Sequence, residues 1–192
     1  MGVDREAALE AVRRRLSREG AAHSERVALT ARRIAEAYGI DVESAYLAGV
    51  LHDWARDLPP DELLQEARML GIPVTEVDER VPYLLHASVG ARLVRREFPG
   101  VSDEVVDAIE QHTFGSPEMS GLAMAVYVAD SVEPGRTHGS AAVLRSAIGA
   151  LPLRELFARA YADGLRHLID SRKLMHPKTL KTWNSIAGGD PS

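Results

Sequence analysis

The stretch Ala45-Tyr-Leu-Ala-Gly-Val-Leu51 runs directly into His52-Asp53. A continuous apolar run with Ala45, Ala48 and Gly49 at helical spacing reads as a buried helix. The small side chains leave room for a neighbouring backbone or an ion to come close. A histidine and a carboxylate at the end of such a segment are costly to desolvate unless something binds them.

The same helical logic extends in both directions. Asp4 is placed to cap a first helix carrying Leu9, Val12 and Leu16. A second, about 22–38, shows the stripe Val27, Ala31, Ile34 and Tyr38, and Gly39 stops it. The third starts at Asp41 and ends in the His52-Asp53 pair. Pro59-Pro60-Asp61 opens a fourth that Gly71 ends. Residues 72–82 read as loop with a short turn. A fifth helix covers about 86–98, broken by Pro99-Gly100, and Ser102 caps a sixth whose face is Val105, Ala108, Ile109 and His112. The seventh, about 117–131, is apolar on nearly every side and is predicted to lie centrally. Two more follow at about 141–150 and 152–171. The tail after Lys173 reads as irregular, with 188–192 disordered. Strand-like alternation is scarce and no repeat or linker stands out. The expected fold class is therefore all-α, a single helical domain over 1–192 with a metal site between helices.

Composition narrows the chemistry. The 192 residues, 45% hydrophobic, can bury a substantial core. No run reaches the roughly 18 apolar residues that span a bilayer. The start Met-Gly-Val-Asp-Arg-Glu lacks a signal-peptide core, so a cytoplasmic location without membrane partners is expected. The net charge of −5 argues against a broad nucleic-acid surface. With no cysteine, any metal must sit on imidazole and oxygen.

Candidate ligands lie in five segments: His23, His52-Asp53, His86, His112 and Asp130. His23 shares the buried stripe of its helix; alone it reads first as a satisfied core or cap histidine. His112 lies on the stripe of Val105, Ala108 and Ile109. His86 opens a helix, where free N–H groups favour anions. Asp130 ends the apolar run 121–129, either as a ligand or in a salt bridge to Arg136. Taken together, four of seven histidines and two aspartates fall at buried ends or faces of separate helices, as a site assembled between helices requires. His138 and His167 read as surface or packing residues. Imidazole with carboxylate suits iron, manganese, cobalt, nickel or zinc. Such an ion lowers the pKa of bound water toward about 7. Arg136 and a late basic group (Arg166, Arg172, Lys173, Lys178, Lys181) could neutralise a phosphate chain. The implied chemistry is metal-assisted phosphoester or phosphoanhydride hydrolysis.

On these residues the chain resembles the HD-domain phosphohydrolase superfamily, whose H…HD…D framework falls here on His23, His52-Asp53 and Asp130. The flanking words His52-Asp-Trp-Ala-Arg-Asp-Leu-Pro59, Leu85-His-Ala-Ser-Val-Gly-Ala91, His112-Thr-Phe-Gly115, Ala129-Asp-Ser-Val-Glu-Pro-Gly-Arg136 and His176-Pro-Lys-Thr179 are similar to its YqeK-type group of symmetrical diadenosine tetraphosphate hydrolases. The similarity runs from about 22 to 184. It implies a helical HD core over about 20–135 and a C-terminal helical extension over about 138–184 that completes the nucleotide site. It implies a divalent transition metal, iron first, on His23, His52, Asp53 and Asp130. His52, Asp53, His86 and His112 would be catalytic. His23, His86, His112, Thr113, Asp130, Arg136 and the segment Leu174, Met175, His176, Pro177, Lys178 and Thr179 would bind the dinucleotide substrate and its ADP product. The chain departs from the group at Ser88 (often proline), Phe114 (often small and polar) and Trp183 (usually arginine). The competing readings are an HD-type nucleotidase or deoxynucleoside triphosphate hydrolase, and a non-catalytic nucleotide-binding regulator. An apolar helix such as 151–168 could support a homodimer.

Overall fold

Local capping chemistry sets most of the helix starts. In the computed structural model, which describes residues 3–137 and 139–188, Asp4 caps α1 (Arg5–Arg15) and Ser17 caps α2 (Arg18–Tyr38), four residues earlier than the apolar stripe suggested. Gly39, at φ 69°, ends α2 in the left-handed region. Asp41 caps α3 (Val42–Leu51), and a proline at its first turn opens α4 (Pro60–Met69). Residues 72–82 are more ordered than expected. Thr75 and Asp78 form a reciprocal capping box on α5 (Glu76–Arg80), and a 3₁₀ turn (Pro82–Leu85) leads into α6 (His86–Glu97).

Ser102 caps α7 (Asp103–Gln111), and Ser120 caps α8 (Gly121–Val132), which therefore begins four residues later than expected. Then come α9 (Gly139–Ser146), α10 (Leu153–Asp170) and α11 (Pro177–Ala187). The last corrects the expectation of an irregular tail. His176 caps α11, Pro177 fits its first turn, and its buried positions are Thr179 and Thr182, so no apolar stripe announced it. Of the expected disorder at 188–192, Gly188 is instead ordered and closes α11 with its N–H on the Asn184 carbonyl, and 189–192 lie outside the described residues. Among the described residues there is no strand, and no helix is long and apolar enough to cross a membrane.

The fold is all-α. Helix α8 lies centrally, as its apolar surface requires, touching α2, α3, α7, α9 and α10. Helices α2 and α3 pack closest: a Cβ on Gly49 would come within 2.7 Å of Ala28 Cα, so the glycine lets the two backbones meet. That contact places the buried face of α2 beside the end of α3, where His52 stands.

Candidate metal centre

Three of the four candidate histidines use one local device. His52 follows the last turn of α3, His86 begins α6 and His112 follows α7. Each ring folds back so that Nδ1 donates to the carbonyl three residues earlier: Gly49 at 2.8 Å, Tyr83 at 2.6 Å and Ile109 at 2.7 Å. A carbonyl only accepts, so Nδ1 carries the proton and each Nε2 presents its lone pair inward. His23, on the buried face of α2, donates from Nδ1 to Glu133 Oε1 at 3.2 Å and also points Nε2 inward.

All four Nε2 atoms converge on Asp53, whose side chain is 3% exposed. Its Oδ2 lies 3.2 Å from His52 and 3.6 Å from His23, and its Oδ1 lies 3.3 Å from His86 and 3.6 Å from His112. Asp130, from the C-terminal part of α8, places Oδ1 3.0 Å from His23 Nε2 and accepts from Arg136 Nη2 at 2.8 Å. The salt bridge to Arg136 is thus present, on the same oxygen that faces His23. Among the described residues, two sets have ligand atoms within 4.8 Å of one another: His23, His52 and Asp130, and His52, Asp53 and His112.

The donor set fits a divalent metal. His52 Nε2 is buried without a hydrogen-bond partner, and His23 Nε2, though 3.0 Å from Asp130 Oδ1, makes no well-aligned hydrogen bond, an arrangement that a cation taking both lone pairs would satisfy. His86 Nε2 and His112 Nε2 stand 3.1 Å apart, which is favourable only with a proton or a cation between them. Electrostatics agree. Burial acts to raise the Asp53 carboxyl, but His52, His112 and His86 hold it well below the usual carboxylate range. Burial likewise opposes ionisation of Asp130, and its bond to His23 with the nearby His52 and Arg136 overcomes this. Burial pushes the His23 imidazole down, but Asp130, Asp53 and Glu133 raise it on balance. Both aspartates are anions, ready for a cation.

A cavity of about 720 Å³ opens beside Asp130. Of the residues expected to bind substrate, Thr113, Asp130, Arg136, Leu174, His176 and Thr179 line it. His23, His86 and His112, in the adjoining cluster, do not, nor do Met175, Pro177 and Lys178: α11 begins at Pro177, and only the face carrying His176 and Thr179 meets the cavity. His176 itself is occupied. Its Nε2 meets Asp78 Oδ2 at 3.3 Å and Thr75 Oγ1 at 3.2 Å, its Nδ1 accepts from the Lys178 N–H, and its ring stacks on Phe114 at 4.3 Å. It clips α11 to the α5 segment more than it faces open space. His167, expected to be a surface or packing residue, is exposed and lines the cavity, as does Arg166. Trp183 packs at a separate apolar cleft between α9, α10 and α11. His138 lies outside the described residues.

Sequence reasoning missed three contacts, each one helical turn past a predicted ligand. Arg56 donates to Asp53 Oδ2 at 2.5 Å, Arg26 follows His23, and Glu133 follows Asp130. The i, i+3 spacing signals Arg56 on Asp53, whereas the pairing of Glu133 with His23 and Arg26 has no local signal.

This arrangement has relatives. The family model described as "HD domain" matches residues 20–135. The chain belongs to the HD-domain family. This HD protein is 34% identical to a Bacillus subtilis (strain 168) protein named "Bis(5'-nucleosyl)-tetraphosphatase, symmetrical", covering 97% of this chain and 100% of the relative. A Halalkalibacterium halodurans protein of the same name is 31% identical, covering 96% and 97%. A Clostridium acetobutylicum crystal structure, described as a "predicted HD superfamily hydrolase involved in NAD metabolism", superposes with a TM-score of 0.90 at 29% identity, covering 99% of this chain and 100% of the other.

Proposed function

We propose that this HD protein is a metal-dependent hydrolase that cuts dinucleoside tetraphosphates, diadenosine tetraphosphate first among them, into two nucleoside diphosphates in the cytoplasm. The observation that carries the reading is the near-full-length match to relatives named symmetrical tetraphosphatases. The site supports it with its buried imidazole nitrogens that make no well-aligned hydrogen bond. His23, His52, Asp53 and Asp130 would hold the ion, with iron our choice among divalent metals.

A bound divalent ion would supply a water of lowered pKa and a Lewis acid for phosphoryl oxygens. The protein's own groups do the rest. Arg136, which lines the cavity beside Asp130, offers its guanidinium to the phosphate chain. Arg56, whose pKa Asp53 raises against the effect of burial, keeps a fixed positive charge on Oδ2 of that carboxylate, the oxygen that also faces His52 and His23. His86 and His112, with Nε2 atoms 3.1 Å apart and His86 3.3 Å from Asp53, would be the groups that hand a proton to the departing oxygen. The P–O bond that breaks joins the two central phosphoryl groups, so each product keeps two phosphates. We treat α9–α11 as the extension that walls the nucleotide half-site.

The test is a substrate panel on metal-stripped protein reloaded with iron or manganese. We expect turnover of the dinucleoside tetraphosphate far above that of nucleoside monophosphates or deoxynucleoside triphosphates. A preference for a monophosphate would replace this reading with the nucleotidase one, and tight ADP binding without turnover of any nucleotide would replace it with the regulator.

A further inference from the structure

Glu133 lies one turn beyond Asp130, at the end of α8, and is 2% exposed. A carboxylate buried this deeply needs partners, and it has three hydrogen-bond donors, with Arg136 Nε a further cation 3.9 Å from Oε1. Oε1 accepts from His23 Nδ1 at 3.2 Å; Oε2 accepts from Arg26 Nε at 2.6 Å and from the Gly135 N–H at 2.5 Å. The cradle is shaped for it: a Cβ on Gly135 would stand 2.8 and 2.9 Å from the two carboxylate oxygens. Arg145 fixes the same turn by donating to the carbonyls of Val132, Glu133 and Arg136.

His23 therefore differs from its three neighbours. His52, His86 and His112 are each aimed by a backbone carbonyl, which comes with any helix end. His23 sits within a long helix and is aimed by a charged side chain 110 residues away. We infer that Glu133 is a positioning residue for the metal: it fixes the proton of His23 on Nδ1, turns Nε2 toward Asp130 and Asp53, and makes that imidazole a stronger ligand. Carboxylate partners of ligating histidines act this way in general, and removing one weakens metal binding about 10–100-fold. Arg26, whose side chain is 37% exposed, balances the buried charge without touching the ligand ring. The turn Asp130–Arg136 then carries three successive functions at i, i+3 spacing: a proposed ligand, the group that aims another ligand, and the cation at the cavity wall.

The inference rests on the metal reading above, and the experiment separates the two. Each variant competes with a chromogenic chelator for manganese or cobalt, and the cobalt absorption spectrum reports the ligand field. Wild type should bind and His52→Ala should not; if wild type binds neither ion, the metal reading itself falls. Given binding, Glu133→Gln, which keeps shape but loses charge, should weaken affinity about 10–100-fold and shift the cobalt spectrum. At saturating metal, kcat should fall with KM little changed. Gly135→Ala should weaken affinity in the same direction, because it displaces the carboxylate. Arg26→Met, which leaves the Glu133 contact to the His23 ring in place, should weaken affinity clearly less than Glu133→Gln. Wild-type affinity in Glu133→Gln, or equal losses in Glu133→Gln and Arg26→Met, would overturn the assignment.

Discussion

Replacing Gly49 by alanine should damage the site from within the core. The added Cβ would meet Ala28 Cα at 2.7 Å, Ala28 N at 3.0 Å and Val27 C at 3.3 Å, all backbone atoms that cannot rotate away. Comfortable carbon contacts lie near 3.5–4.0 Å, so α2 and α3 must separate by roughly 1 Å. Overpacking of that kind costs about 1–3 kcal/mol. Alanine also gains about 1 kcal/mol over glycine in a helix interior, which would mask part of the cost. Gly90→Ala supplies the correction: it too sits in a helix, but its Cβ would approach Ala55 N no closer than 3.4 Å, an ordinary contact. The propensity gain cancels in the comparison. Gly49→Ala should therefore melt about 2–12 °C below Gly90→Ala, at about 2–4 °C per kcal/mol for a domain of this size. Because Gly49 O aims His52 and Ala28 lies on the helix of His23, separating the helices also moves two proposed ligands apart. A displacement near 1 Å can cost about 10²-fold in rate. Differential scanning calorimetry and hydrolysis assays on both variants check this. Equal melting points and equal rates would refute the claim that this backbone contact sets the site.

Two further outcomes follow from the charge pattern. Without metal, the raised pKa of His23 means its contribution to stability is full below its unfolded value of 6.5 and is lost as pH rises through the folded value. The depressed Asp53 and Asp130 contribute above the usual carboxylate range and change nothing between these limits. Metal-free protein should thus melt lower at about pH 8.5 than at about pH 6, and His23→Gln should reduce that slope; metal should reverse it, since ligation needs the neutral ring. At the other end of the molecule, His176→Ala strips Asp78 of a buried partner and Phe114 of its stacked ring. It should cost about 1–3 kcal/mol in urea unfolding, and an unchanged midpoint would show that the clip between α5 and α11 contributes nothing.

Elements whose signals are local were legible in the sequence. Asp4, Asp41 and Ser102 cap helices where short polar side chains precede apolar periodicity, and Gly39 ends one where only a left-handed residue fits. Helix α11 was not legible because its buried face is built on Thr179 and Thr182 while Leu180 points outward at 49% exposure. Residues 72–82 hid a capping box because its apolar content is low. The metal candidates could be read because histidine and aspartate are expensive in apolar helices. Their partners could not. Glu133 meets His23 across 110 residues and Asp78 meets His176 across 98, and such pairings arise from how helices pack, not from spacing along the chain. Which of residues 174–179 face the cavity was not legible for a similar reason: they do not share a face once 177 begins a helix.

The position of the cut tests the central claim most directly. Metal-loaded protein incubated with diadenosine tetraphosphate, with products resolved by anion-exchange chromatography from the first per cent of turnover, should release ADP alone. His52→Ala and Asp53→Ala should release almost nothing while keeping the helical circular dichroism of the wild type. ATP and AMP in equal amounts would contradict the symmetrical cut, and undiminished ADP release from Asp53→Ala would contradict the site.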